Sequence, residues 1–120
     1  MIYLDNAATT FPKPKSVQLA VAKASGYAAN PGRGGHTLAI KAASEIYKCR
    51  SKIAHFFGSD NPENVIFTLN CTHAVNIVLK GLLKPGDHVV VSDLEHNAVM
   101  RPLCALAKRG VTYTAAEVLR

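Results

Sequence analysis

Lys84-Pro85-Gly86-Asp87-His88-Val89-Val90-Val91-Ser92 is the stretch that decides the fold. A Pro-Gly-Asp turn leads into valines with no polar alternation, the pattern of a short strand covered on both faces, as in a parallel sheet packed between helices. Upstream, Asn64-Val65-Ile66-Phe67-Thr68-Leu69 is β-rich and short, and a helix is expected from about His73 to Leu83. Downstream, a second helix is expected from about Ala98 to Arg109, stopping at Gly110, where glycine suits a left-handed C-terminal position. Strand-like Val111-Thr112-Tyr113-Thr114 follows. Residues 64–114 therefore read strand, helix, strand, helix, strand. Such short connections imply parallel strands with right-handed crossovers, the skeleton of a three-layer α/β domain.

Toward the N-terminus two turn-rich stretches divide the chain. Residues 5–15 end in Pro12-Lys13-Pro14, which leads into a helix over Ser16–Ala28 with Val17, Ala20, Val21 and Ala24 on one face. Asn30-Pro31-Gly32-Arg33-Gly34-Gly35 sets glycines around one arginine and permits close backbone approach. From Thr37, apolar residues at Ile40, Ala43, Ile46, Tyr47, Ile53 and Phe57 recur every three or four positions, the spacing of a long amphipathic helix that stops at Gly58.

With 120 residues and 48% hydrophobic content, the chain is large enough to bury a core. Its last residues, Ala115 to Arg120, carry no closing Gly, Pro or polar tail, and the chain reads as a piece of something longer. Cys49, Cys71 and Cys104 are odd in number, lack CxxC pairing and have aliphatic neighbours in sequence, so a reducing compartment is expected, without disulfides or zinc. The N-terminus has no basic lead or long apolar run, and no membrane span is expected. The net charge of +6 is scattered from Lys13 to Arg120 without interleaved aromatics, which argues against nucleic acid.

In an open parallel sheet, ligands bind beyond the carboxyl ends of the strands. That rule selects the loops Asn70-Cys71-Thr72-His73 and Asp93-Leu94-Glu95-His96-Asn97. The first opens a helix, whose N-terminus offers unpaired N–H groups to an anion, and Thr72 adds a hydroxyl. By spacing alone, Thr72 reads as the cap of its own helix, Cys71 as a small packed residue, and His96 as a surface or capping histidine that Asp93 and Glu95 orient or charge. His36, His55, His73 and His88 form no metal pattern, and no metal is assigned. No Gly-x-Ser-x-Gly elbow points to a hydrolase.

Five blocks, taken together, resemble one family. They are Tyr3-Leu4-Asp5-Asn6-Ala7-Ala8-Thr9-Thr10 with Pro12-Lys13-Pro14; Asn30-Pro31-Gly32-Arg33-Gly34-Gly35-His36-Thr37-Leu38; Phe67-Thr68-Leu69-Asn70-Cys71-Thr72-His73-Ala74-Val75-Asn76; Pro85-Gly86-Asp87-His88-Val89-Val90-Val91; and Glu95-His96-Asn97-Ala98 with Pro102. In this order and spacing the chain resembles the N-terminal portion of the class V aminotransferase group of pyridoxal-phosphate enzymes, in its cysteine desulfurase and selenocysteine lyase branch. The resemblance implies a parallel-sheet domain of the fold type I kind, present as an N-terminal fragment. It divides the chain into residues 1–36, an arm with a helix and a Gly-rich active-site loop, and residues 37–120, an incomplete large cofactor-binding domain.

The same resemblance implies roles. The loop at Cys71 and Thr72 holds the phosphate of pyridoxal phosphate; His96 stacks on its ring and serves in proton transfer; Ala7 and Ala8 lie near the bound amino acid; Arg33 approaches the active site of a partner subunit. Cys71 and His73 stand where many relatives have a small residue and a glutamate. The lysine that captures the cofactor, the aspartate facing its ring nitrogen and the mobile-loop cysteine belong to positions beyond this sequence; none of its lysines or cysteines occupies those positions, and its lysines are expected on solvent faces of helices or in the Lys13 and Lys84 turns. The implied parent is a cytoplasmic homodimer that converts L-cysteine to L-alanine with transfer of sulfur to an enzyme cysteine, and onward to an acceptor protein. Selenocysteine lyase or another class V activity is the enzymatic alternative, and a non-catalytic phosphate-binding, dimer-forming piece is the alternative of another class.

Overall fold

A computed structural model of the chain describes residues 2–118. It consists of two compact units, Met1–Ile66 and Phe67–Arg120.

In the first unit α1 spans Lys15–Ser25 and α2 spans Thr37–Phe56. Pro14 starts α1 without a side-chain cap, its carbonyl accepting from the N–H groups of Val17 and Gln18. None of the residues of α1 is buried. His36 caps α2 through Nδ1, which accepts from the Ala39 N–H at 3.4 Å, and α2 buries Ala39, Ala42 and Ala54. The helix stops where expected: Gly58 takes φ +74°, a conformation that costs an L side chain strain, and Ser59 N–H closes back on the Ala54 carbonyl at 2.9 Å.

The β-rich stretch 64–69 is not a strand. Pro62–Asn64 forms a short 3-10 helix capped by Asn61, and residues 65–68 run on without a ladder partner. A side chain ties it to α2, as Arg50 Nε donates to the Val65 carbonyl at 2.8 Å. β-propensity is a fit to a pleated neighbour, and among the described residues no strand lies beside this one.

The second unit holds α3 (Cys71–Leu82), β1 (His88–Ser92), α4 (Asn97–Ala107) and β2 (Thr112–Ala116). The strands pair in parallel, from His88 opposite Thr112 to Ser92 opposite Ala116. The turns entering them are clasped by Gly86 N–H donating to the Gly110 carbonyl at 2.8 Å, and both glycines have positive φ. Pro102, Leu103, Leu106 and Val111 form the buried core, and α3 packs on α4. The expected cover on both faces of β1 is not found, because Val90 is 67% exposed. Two strands and two helices leave part of the sheet without a facing layer.

Candidate functional site

Both loops selected by the parallel-sheet rule end on helix N-termini, and the caps decide which groups stay free. Asn70, not Thr72, caps α3: its Oδ1 accepts from the His73 N–H at 2.8 Å, and its carbonyl accepts from Ala74. This corrects the capping role read for Thr72. Thr72 is the second residue of α3, with its side chain on a cavity. The N–H groups of Cys71 and Thr72, at the first positions of the helix, have no protein acceptor among the described residues. Anion-seeking donors and a free hydroxyl therefore stand together.

His96 is both cap and cavity wall. Its Nδ1 accepts from the Ala98 N–H at 3.0 Å, so the neutral ring in this arrangement carries its proton on Nε2. Asp93 and Glu95 do not orient it. Glu95 Oε1 accepts from Ser92 Oγ at 3.0 Å, and Asp93 Oδ1 accepts from the Val118 N–H at 3.3 Å, so the two carboxylates brace the strand ends instead.

Thr72 and His96 line one cavity of about 390 Å³, with α3 supplying Thr72, Asn76 and Lys80, and α4 supplying Asn97, Ala98 and Arg101. Pro102 lies in its wall. Having no N–H, Pro102 leaves the Ala98 carbonyl without its helical donor beside the cavity. Asn76, Lys80 and Arg101 were not singled out from the sequence. The signal was present, since 72, 76, 80 and 97, 101, 105 are fourfold spacings that keep residues on one helix face. Lys80 lines the cavity with its side chain exposed, in keeping with the solvent-facing place expected of the lysines.

Cys71 is exposed and does not line the cavity. That exposure corrects the packed reading of Cys71, and Cys49 and Cys104 are exposed as well. Cys104 Sγ lies 3.8 Å from the Tyr113 hydroxyl, a hydrogen bond that raises the pKa of that tyrosine. Ala7, Ala8 and Arg33 belong to the first unit. Ala7 and Ala8 sit in an exposed turn in which Ala8 and Thr9 N–H groups donate to the Asp5 carbonyl, and Tyr3 OH bridges the carbonyls of Asp5 and Thr9. Arg33 is exposed on the glycine loop, beside a turn closed by Gly32 N–H on Asn30 Oδ1 at 2.9 Å. Among the described residues no cluster of His, Cys, Asp and Glu suits a metal, and no helix is long and apolar enough to cross a membrane.

The family model for class-V aminotransferases matches residues 2–119. Among curated proteins, a probable cysteine desulfurase of Methanothermobacter thermautotrophicus is 39% identical over 92% of this chain and 28% of its own length. A probable cysteine desulfurase of Pseudomonas aeruginosa is 40% identical over 91% of this chain and, again, 28% of its own length. Among solved structures, the apo cysteine desulfurase from Thermococcus onnurineus superposes with a TM-score of 0.83 at 32% identity, covering 98% of this chain and 30% of that one. A mutant of the enzyme C-DES with glycine covalently linked to its PLP cofactor gives a TM-score of 0.63 at 27% identity, covering 88% and 28%. The chain thus spans about 30% of the length of the proteins it matches.

Proposed function

Because the chain belongs to the class-V aminotransferase family, we infer that it is the part of a pyridoxal-phosphate-dependent cysteine desulfurase that holds the phosphate and one face of the cofactor ring. The observation that carries this reading is the shared cavity of Thr72 and His96 at the N-termini of α3 and α4. The residues fit the group. A phosphate dianion suits the free N–H groups of Cys71 and Thr72, the Thr72 hydroxyl and the positive end of the α3 dipole. An aromatic ring suits a neutral imidazole held in one orientation by its own helix cap.

When bound, the cofactor supplies the electron sink that lets a substrate amino acid give up its α-proton. The chain's own contribution is narrower. Thr72 fixes the phosphate, and His96 keeps Nδ1 on Ala98 and offers Nε2–H. Lys80 is exposed, and desolvation is one of the means by which an active-site lysine is tuned to attack a carbonyl. The capturing amine is therefore assigned to the rest of the protein, as are the cysteine that accepts sulfur, the L-cysteine substrate and an acceptor protein.

For the whole protein we keep the reading of a cytoplasmic homodimer, with Ala7, Ala8 and Arg33 on the substrate side. Residues 1–36 are its arm and residues 37–120 part of its large domain. The experiment is to measure retention of pyridoxal phosphate against pyridoxal, which lacks the phosphate. Thr72→Ala should weaken the first by about fivefold, the scale of one hydrogen bond of about 1 kcal/mol, and leave the second unchanged. Equal effects on both would remove the phosphate role from Thr72.

A further inference from the structure

The cavity is longer than a phosphate at the α3 N-terminus requires. Thr72, Asn76 and Lys80 descend one face of α3 at intervals of four residues, so Thr72 and Lys80 are separated by about 12 Å along the axis, at about 1.5 Å per residue. Arg101 stands on the facing wall, one turn below Asn97. Neither Lys80 nor Arg101 has an ion-pair partner among the described residues, and no acidic residue lines the cavity. Both side chains are exposed and line the same cavity, Lys80 from α3 and Arg101 from α4. Two uncompensated cations lining one concavity attract an oxyanion, and the planar guanidinium adds paired donors that a lysine lacks.

We propose that Lys80 and Arg101 form a second oxyanion site in the α3–α4 cavity, separate from the donors at Cys71 and Thr72, taking a phosphate-like dianion between the helices. The site stands on the cavity and its charges, and not on the cofactor reading. The test is equilibrium dialysis of inorganic phosphate against the full-length protein that contains this chain, with far-UV circular dichroism to verify helix content in each variant. Lys80→Gln and Arg101→Gln should each weaken a saturable site by about fivefold, the upper scale of an exposed charge pair. Arg101→Lys should recover part of the loss. Thr72→Ala should leave this site intact, and so should Lys108→Gln, which removes a charge at the C-terminal end of α4 outside the cavity. Equal weakening by Lys108→Gln would show nonspecific attraction to a basic surface and overturn the proposal. Loss confined to Thr72→Ala would overturn it too, while leaving the cofactor reading standing.

Discussion

At the scale of single residues, His96 caps α4 and is proposed to face the cofactor ring, and substitution separates the two. His96→Ala removes the ring and the α4 cap together, and loss of such a cap costs about 1 kcal/mol. His96→Asn keeps a side-chain acceptor for the Ala98 N–H, so urea unfolding should return close to the parent value while the absorbance of bound pyridoxal phosphate stays disturbed. Full recovery of that spectrum in the asparagine variant would reduce His96 to a cap. Glu45 offers a titration of different kind. Lys48 Nζ donates to its Oε1 at 3.0 Å, and this hydrogen bond with the ammonium's charge holds the carboxyl below its ordinary 4.5. A depressed folded pKa stabilises the fold above the unfolded value, and that contribution is lost as pH falls through the folded one. An NMR titration should place the Glu45 midpoint below 4.5, and Lys48→Ala should return it toward that value. The chemistry of the residues was readable in the sequence; the partners were not. Asp93 and Glu95 lie next to His96 along the chain yet bind strand ends, because the turn after β1 directs their carboxylates to Val118 and Ser92.

At the scale of elements, caps and turns give the sharpest contrasts. Asn70→Ala should destabilise α3 by about 1 kcal/mol in thermal unfolding, and Thr72→Ala should leave α3 nearly unchanged, since only Asn70 closes the helix. The reverse ranking would restore Thr72 as the cap. Gly110 takes φ +94°, and a Cβ there would stand 3.3 Å from Pro85 Cβ. Gly110→Ala should therefore cost about 1 to 3 kcal/mol, read as a lowered unfolding midpoint. The four helices and the strands at 88–92 and 112–116 were legible because caps, glycine stops and local periodicity lie within a few residues of the structure they produce. The stretch 64–69 was misread because its composition suits a strand, whereas strand formation depends on a neighbour that sequence-local signals do not contain.

For the molecule as a whole, the uncovered apolar surface sets behaviour. In the second unit Ile77, Val78, Leu82 and Val90 are all more than half exposed, and among the described residues β1 has a single strand beside it. In the first unit Leu19 and Val21 of α1 are exposed at 70% and 64%. Sheet edges and apolar faces of this kind drive association. Sedimentation velocity should show the isolated chain self-associating, and Val90→Lys should shift it toward monomer; a monodisperse parent at all concentrations would count against the reading. The sequence by itself determined the α/β class, the parallel sense of β1 and β2 and the helices to within a few residues at their ends, because each follows from local periodicity and turn chemistry. Only the tertiary structure decided that Asn70 and His96 are the caps, that the carboxylates beside His96 serve the strands, and that Lys80 and Arg101 enter the cavity. Those outcomes depend on where two helices and a paired sheet place side chains across space, and spacing along one chain does not encode which facing surface each will meet.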